Sequence, residues 1–149
     1  MTATNHALTG AIIGLSLGNT LIAVPIALAS HFVLDSLPHF GVGKDATTKS
    51  WFPKLLTIDI LGCFILVAVL AHAQPQHWLT AAVAAFAATS PDFMWLPGFI
   101  RFNKGQPQKA ARNIIMRFHA WIQWYQQPLG ALVEAAWAFI AVAVLIRLV

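Results

Sequence analysis

Apolar and polar positions fall along this chain in blocks, and the apolar blocks have the lengths of helices. The first runs from about Ala7 to Leu17 and closes at Gly18-Asn19-Thr20, a turn-forming cluster. A second, from about Leu21 to Leu37, tolerates Pro25 in its first turn and is ended by Pro38. The polar stretch His39 to Ser50 comes next, then a third block from about Phe52 to Ala73 that stops before Gln74-Pro75-Gln76. A fourth, about Trp78 to Thr89, runs into Ser90-Pro91-Asp92. Beyond a loop rich in Gly, Pro and basic residues, a fifth helix is expected from about Gln108 to Gln127. Pro128 begins or kinks a sixth that continues to the last residue. The pattern predicts an all-α bundle of about five to six helices, in one domain over residues 1–149.

Composition then decides the solvent. Hydrophobic residues make up 58% of the chain and charged residues 9%, against about 25% charged in a typical soluble domain. So few charges do not cover a water-soluble globule, and an integral membrane protein is expected. The third and sixth blocks approach the ~20 apolar residues that span a bilayer. The first two are shorter, which suits tilting, local thinning or a re-entrant pair. The fifth carries Arg112, Arg117, Gln123, Gln126 and Gln127, which suits an interface or a cavity wall. No internal repeat points to a transporter with inverted halves.

The net charge of +4 matters through its placement. Lys44, Lys49 and Lys54 lie between the second and third blocks; Arg101, Lys104, Lys109 and Arg112 lie between the fourth and fifth. The connections Gly18 to Thr20 and Gln74 to His77 hold no Lys or Arg. The positive-inside rule therefore predicts a multi-pass protein of the inner (cytoplasmic) membrane, with both basic loops and both termini cytoplasmic. No basic stripe interleaved with aromatics favours nucleic acid, and membrane lipids are the expected partners. Cys63 stands alone, so neither a disulfide nor a Cys-based zinc site is expected, and packing is its default role. No Lys or Arg precedes the first apolar block, which does not fit a cleaved signal peptide.

On that topology the chemistry gathers at one face. His6 starts the first helix, His31, Asp35 and His39 end the second, and Asp59 lies about two turns into the third. Asp92 ends the fourth, and His119 lies a few turns into the fifth. An Asp near the centre of a membrane helix costs roughly 2.5–3.5 kcal/mol on insertion scales, so such acids are paired or face a wet cavity. Asp35, Asp59 and Asp92 have no Lys or Arg partner within their own helices, and the histidines are their plausible neighbours. A divalent cation satisfies both groups at once, and His31 and Asp35, at i and i+4, share one helix face. Mixed N/O donors suit zinc, manganese or iron, with a dinuclear centre among the possibilities.

The pieces Asn5-His6-Ala7-Leu8-Thr9-Gly10, His31-x3-Asp35-Ser-Leu-Pro38-His39 and Ser90-Pro91-Asp92 resemble motifs of membrane-bound metal-dependent hydrolases. They are similar to those of the LexA-binding, inner-membrane-associated hydrolases; the His-x3-Asp element is also similar to that of zinc-dependent phospholipase C. The resemblance implies metal roles for His6, His31, Asp35 and Asp92. The family's His-Arg-Gly-x-Thr-His-Ser stretch is absent here, and the His-x3-Asp element precedes the Pro-Asp.

The leading expectation is a metal-dependent hydrolase acting on a lipid-like ester or phosphoester at the cytoplasmic interface. Its metal set would be His6, His31, Asp35, His39, Asp59, Asp92 and His119, with Asp59 or Asp92 taking the proton of water. A divalent-cation carrier or sensor, and a non-catalytic scaffold with polar helix glue, stand as alternatives. In the plainer readings, His31–Asp35 and His119–Gln123 are hydrogen-bonded pairs and Asp92 ends a helix. His39 then touches headgroups, and Glu134 bonds Gln126 or Gln127 near the outer end of the sixth helix, apart from the cluster.

Overall fold

Two of the turns are set by single residues. Gly18 takes the left-handed conformation (φ 62°) that closes the first helix, and the Asn19 side chain accepts from the Leu21 N–H at 2.9 Å to open the second. The structure, a computed structural model, describes residues 1–41, 49–74, 76–106 and 113–149. Its helices are α1 (Ala3–Leu17), α2 (Thr20–Asp35), α3 (Phe52–Ala73), α4 (Trp78–Thr89), α5 (Leu96–Asn103), α6 (Ile114–Ile122) and α7 (Gly130–Leu148). A 3₁₀ turn, Ser90–Trp95, joins α4 to α5 without a break. The fold is all-α, with no strand among the described residues beyond an isolated bridge between His39 and Gln126.

Three helical runs, Phe52–Ala73, Trp78–Asn103 and Gly130–Leu148, are long and apolar enough to cross a membrane. They turn Ile58, Phe64, Ile65, Leu132, Phe139 and Ile146 outward, a face that lipid solvates and water does not. At ~1.5 Å per residue α1 and α2 rise only ~22–24 Å, short of the ~30 Å hydrocarbon core, as their blocks in the sequence predict.

α1 is the central helix and packs most closely on α4. Glycine makes this possible: a Cβ on Gly10 would lie 2.5 Å from the Ala84 carbonyl oxygen, and one on Gly14 would lie 2.6 Å from Ala81 Cα. On α2, Ala23 and Ala27 seal against Ala84 and Ala88. These small residues keep a four-residue step that continues into the polar ones. His6, Gly10 and Gly14 form one row; Ala23, Ala27, His31 and Asp35 form another; Ala84 and Ala88 lead to Asp92. Close backbone approach along the rows brings the large side chains at their ends together.

The fifth predicted helix, Gln108 to Gln127, is corrected. Residues 107–112, with Lys109 and Arg112, lie outside the described residues, as does Lys44. The next element in the chain is α6, capped by Asn113 and finished at Ile122, nine residues long. That is ~14 Å of helix and cannot span. The chain therefore enters α7 at the end where α4 finished, and the two termini lie at opposite ends of the bundle. The Met1 ammonium meets Asp35, whereas the carbonyls of Leu148 and Val149 accept from Gln74 Nε2 at 3.1 and 3.3 Å. The expectation of both termini at one face fails for that reason.

Candidate metal centre

Asp35 is the focus. Its carboxylate is fully buried, and four side-chain nitrogens stand against it. His6 Nε2 lies 3.1 Å from Oδ1; His31 Nε2, His119 Nε2 and Gln123 Nε2 lie 3.2, 3.0 and 3.0 Å from Oδ2. The Met1 ammonium also donates to Oδ1. Asp92 closes the group from the 3₁₀ turn, 3.8 Å from His31 Nε2, 3.9 Å from His119 Nε2 and 4.0 Å from His6 Nε2. The rings of His6 and His31 stack with centroids 4.0 Å apart.

The hydrogen bonds define what the nitrogens offer. His31 Nδ1 lies 2.7 Å from the Ala88 carbonyl, which only accepts, so the ring proton resides there. A neutral His31 thus points a bare Nε2 lone pair at a carboxylate oxygen and at His119 Nε2, 3.0 Å away. Gln126 Nε2 donates to Gln123 Oε1 at 3.1 Å, which turns the Gln123 amide N–H towards His119 Nε2 and Asp35. His6 Nδ1 is buried with no partner. A bare His31 Nε2 beside a buried carboxylate is a donor pair that a cation can share, and the test is whether the spacings suit one.

A metal ion fits this test. One ligand atom each from His6, His31, Asp35 and Asp92 lie within 4.8 Å of one another. Tetrahedral donors ~2.0–2.1 Å from zinc stand ~3.3 Å apart. The spacings of 3.1, 3.2, 3.8 and 4.0 Å bracket that value. The cluster could hold a metal ion. His119 is close enough to be a further donor.

Two expected ligands lie elsewhere. The Asp59 carboxylate accepts the backbone N–H groups of Ala3 and Thr4, each at 2.7 Å, and the Thr4 hydroxyl. It caps the start of α1, whose own Thr2 makes no side-chain cap. His39 is buried, with Nδ1 donating to the Leu37 carbonyl at 2.8 Å and Nε2 unpartnered. Burial, aided by the Met1 ammonium, holds its imidazole below the ordinary titration range. Pro38 ends α2, and the strap then bonds along Tyr125 and Gln127, which carries His39 away from Asp35.

Sequence reasoning misplaced Glu134 and undervalued Gln123. Glu134 accepts from the N–H groups of Thr2 and Phe40, both at 3.0 Å, so it lies at the cluster end of the bundle. Its placement results from α6 failing to span. The rows of small residues were a missed signal: Gly10 and Gly14, four apart, share the register of His6.

Beside the cluster, a cavity of about 1010 Å³ lies against α3 and α4, and Asp92, Asp59, Gln123 and Glu134 line it. Comparison with known proteins finds no matching family model, no similar curated protein and no similar solved structure.

Proposed function

We propose that this protein is a metal-dependent hydrolase embedded in the inner membrane, acting on a lipid-like ester or phosphoester at the cytoplasmic interface. The observation that carries the reading is Asp92. It belongs to the histidine–carboxylate cluster and also lines the large cavity. A divalent ion held by His6, His31 and Asp35, with His119 beside them and Asp92 left facing the cavity, would supply Lewis acidity towards water and the scissile oxygen. Zinc suits the imidazole-rich set best, with manganese or iron as the other candidates.

The residues divide the work. His31 is held in one tautomer by Ala88 and keeps Nε2 free. Gln123 orients His119 and Asp35, and is itself held by Gln126. Asp92 accepts the proton from water, because its side chain is 17% exposed whereas Asp35 is sealed. Asp59, committed to α1, is left out of the chemistry. The likeness of the His6, His31-x3-Asp35 and Pro91-Asp92 elements to inner-membrane hydrolases supports the same reading.

A cation carrier is disfavoured by the far side of the cluster. There Ala23, Ala27, Ala84 and Ala88 have no exposed surface, so among the described residues the seam between α2 and α4 offers no polar path onward. Elemental analysis of the purified protein, followed by esterase and phosphoesterase assays with and without chelator, tests the proposal. Zinc-loaded protein inert on a broad lipid panel overturns the enzyme while sparing the metal site.

A further inference from the structure

α3 and α4 are consecutive, yet they touch sparsely, and the cavity occupies the space between them. Its walls are graded. At the cluster end it is lined by Thr2, Asp59, Asp92, Gln123, Gln126 and Glu134. Away from the cluster the lining is apolar: Ile60, Cys63 and Val67 of α3 on one side, Ala82 and Phe86 of α4 on the other. From Asp59 to Val67 the helix rises ~12 Å. One leaflet of hydrocarbon is about half of ~30 Å. The trough therefore reaches most of the way through a single leaflet of acyl chains.

Small side chains keep it open. Ala82 and Ala85 on α4, and Ala7 beneath them on α1, leave room that larger residues would fill. Aromatic rings gather at the polar end, where Phe52 meets Trp95 at 5.2 Å and Phe40 meets Trp51 at 5.8 Å. Rings of this kind favour headgroup depth. No Lys or Arg is among the described residues lining the cavity, but three acids are. The Met1 ammonium also borders the cavity but is already engaged by Asp35, so the three carboxylates repel an anionic headgroup and attract an ammonium.

The geometry points to a lipid-binding cleft between α3 and α4 that takes an acyl chain of a zwitterionic, amine-bearing lipid sideways from the bilayer, with its headgroup linkage beside Asp92. The inference rests on the proposed hydrolase only for the identity of the reacting end. The cleft itself binds whether or not a bond is cut.

The test uses the full chain in detergent, offered palmitoyl-chain phosphatidylethanolamine and phosphatidylglycerol together, once with zinc and once with chelator. Native mass spectrometry reads the lipid retained. The expected result is phosphatidylethanolamine bound under both conditions. Val67→Trp and Ala82→Leu fill the trough from opposite walls, and each lowers its occupancy by about tenfold or more. Wild-type metal content and helicity serve as folding controls, and two walls guard against one variant failing to fold. Lipid retention unchanged in both folded variants, preferential retention of phosphatidylglycerol, or equal competition by chain-free glycerophosphoethanolamine overturns the assignment. Lipid retained by a protein that hydrolyses nothing leaves the cleft standing and removes the enzyme. Turnover unaffected by both substitutions does the reverse.

Discussion

His31 Nε2 and His119 Nε2 face one another across 3.0 Å, from helices that lie far apart in the chain. Because the Ala88 carbonyl holds the proton of a neutral His31 on the other nitrogen, His31 Nε2 can only accept here, either from an N–H of His119 or from a cation. We expect the purified protein to carry a divalent metal. His31→Ala should weaken its retention by more than the ~10–100-fold lost when a group that merely orients a ligand is removed. A chelator-competition titration with elemental readout measures this. Equal metal affinity in His31→Ala and wild type would falsify the site.

Asp92 and Asp59 separate the chemical role from the structural one. Asp92→Asn should lower turnover by about 10²–10⁴-fold, the usual worth of a positioned proton acceptor. Metal retention should fall less than in His31→Ala, since Asp92 stands 3.8–4.0 Å from the imidazoles and Asp35 3.0–3.2 Å. Asp59→Ala should instead destabilise the fold by about 1–3 kcal/mol, by stranding the N–H groups of Ala3 and Thr4. The kcat per folded molecule should be unchanged, any loss being confined to KM because Asp59 also borders the cavity. Paired thermal-melt and steady-state assays decide it, and a reversed pattern exchanges the two roles.

How far the site was legible depends on the kind of signal. The convergence of His6, His31, Asp35 and Asp92 could be read from the sequence because cation placement orients the helices, and orientation alone puts the four at one depth. Asp59 misled for a physical reason. Depth does not reveal whether a carboxylate faces a cavity or the open N-terminus of a neighbouring helix, and both explain an acid in an apolar segment. The fate of the fifth segment was also hidden. Arg117, Gln123 and Gln126 fit a cavity-lining span and a short interfacial helix equally well, and the position of Glu134 turns on that choice.

The glycine rows tie packing to the site. Gly10→Val places a branched side chain where even a Cβ lies 2.5 Å from the Ala84 carbonyl, so α1 and α4 must separate. A loss of about 1–3 kcal/mol is expected, the range for overpacking. Metal affinity should fall with it, although Gly10 touches no ligand, because the same row carries His6. Gly98→Val, at a glycine with open space, should leave both unchanged. A Gly10→Val protein that melts and binds metal like wild type would sever packing from ligand placement.

His39 predicts a pH dependence of stability. Its folded form favours the neutral ring, so the folded state binds fewer protons than the unfolded chain. This contribution is fully present above the unfolded value of ~6.5 and is lost as pH falls below it towards the depressed folded value, by at most ~1.4 kcal/mol per pH unit. His39→Gln should therefore show a shallower fall in melting temperature than wild type on acidification from about pH 8 to about pH 5. Parallel slopes would mean that His39 titrates freely.

Topology gives the last test. Lys49 and Lys54 begin α3 beside the site, where Asp59 holds the start of α1, and Arg101 and Lys104 extend past the same end from α5. Arg147 alone among the described Lys and Arg residues lies at the other end, where Gln74 meets Leu148. By the positive-inside rule the charge bias predicts the site end in the cytoplasm, and three crossings would then send the end of α7 across the membrane. A reporter fused after Val149 should be active only outside the cytoplasm, and one inserted after Lys104 only inside. If both report from the same compartment, α6 must cross after all. Glu134 would then lie at the opposite face from Thr2 and Phe40, so the contacts that define the α7 end of the site would be broken.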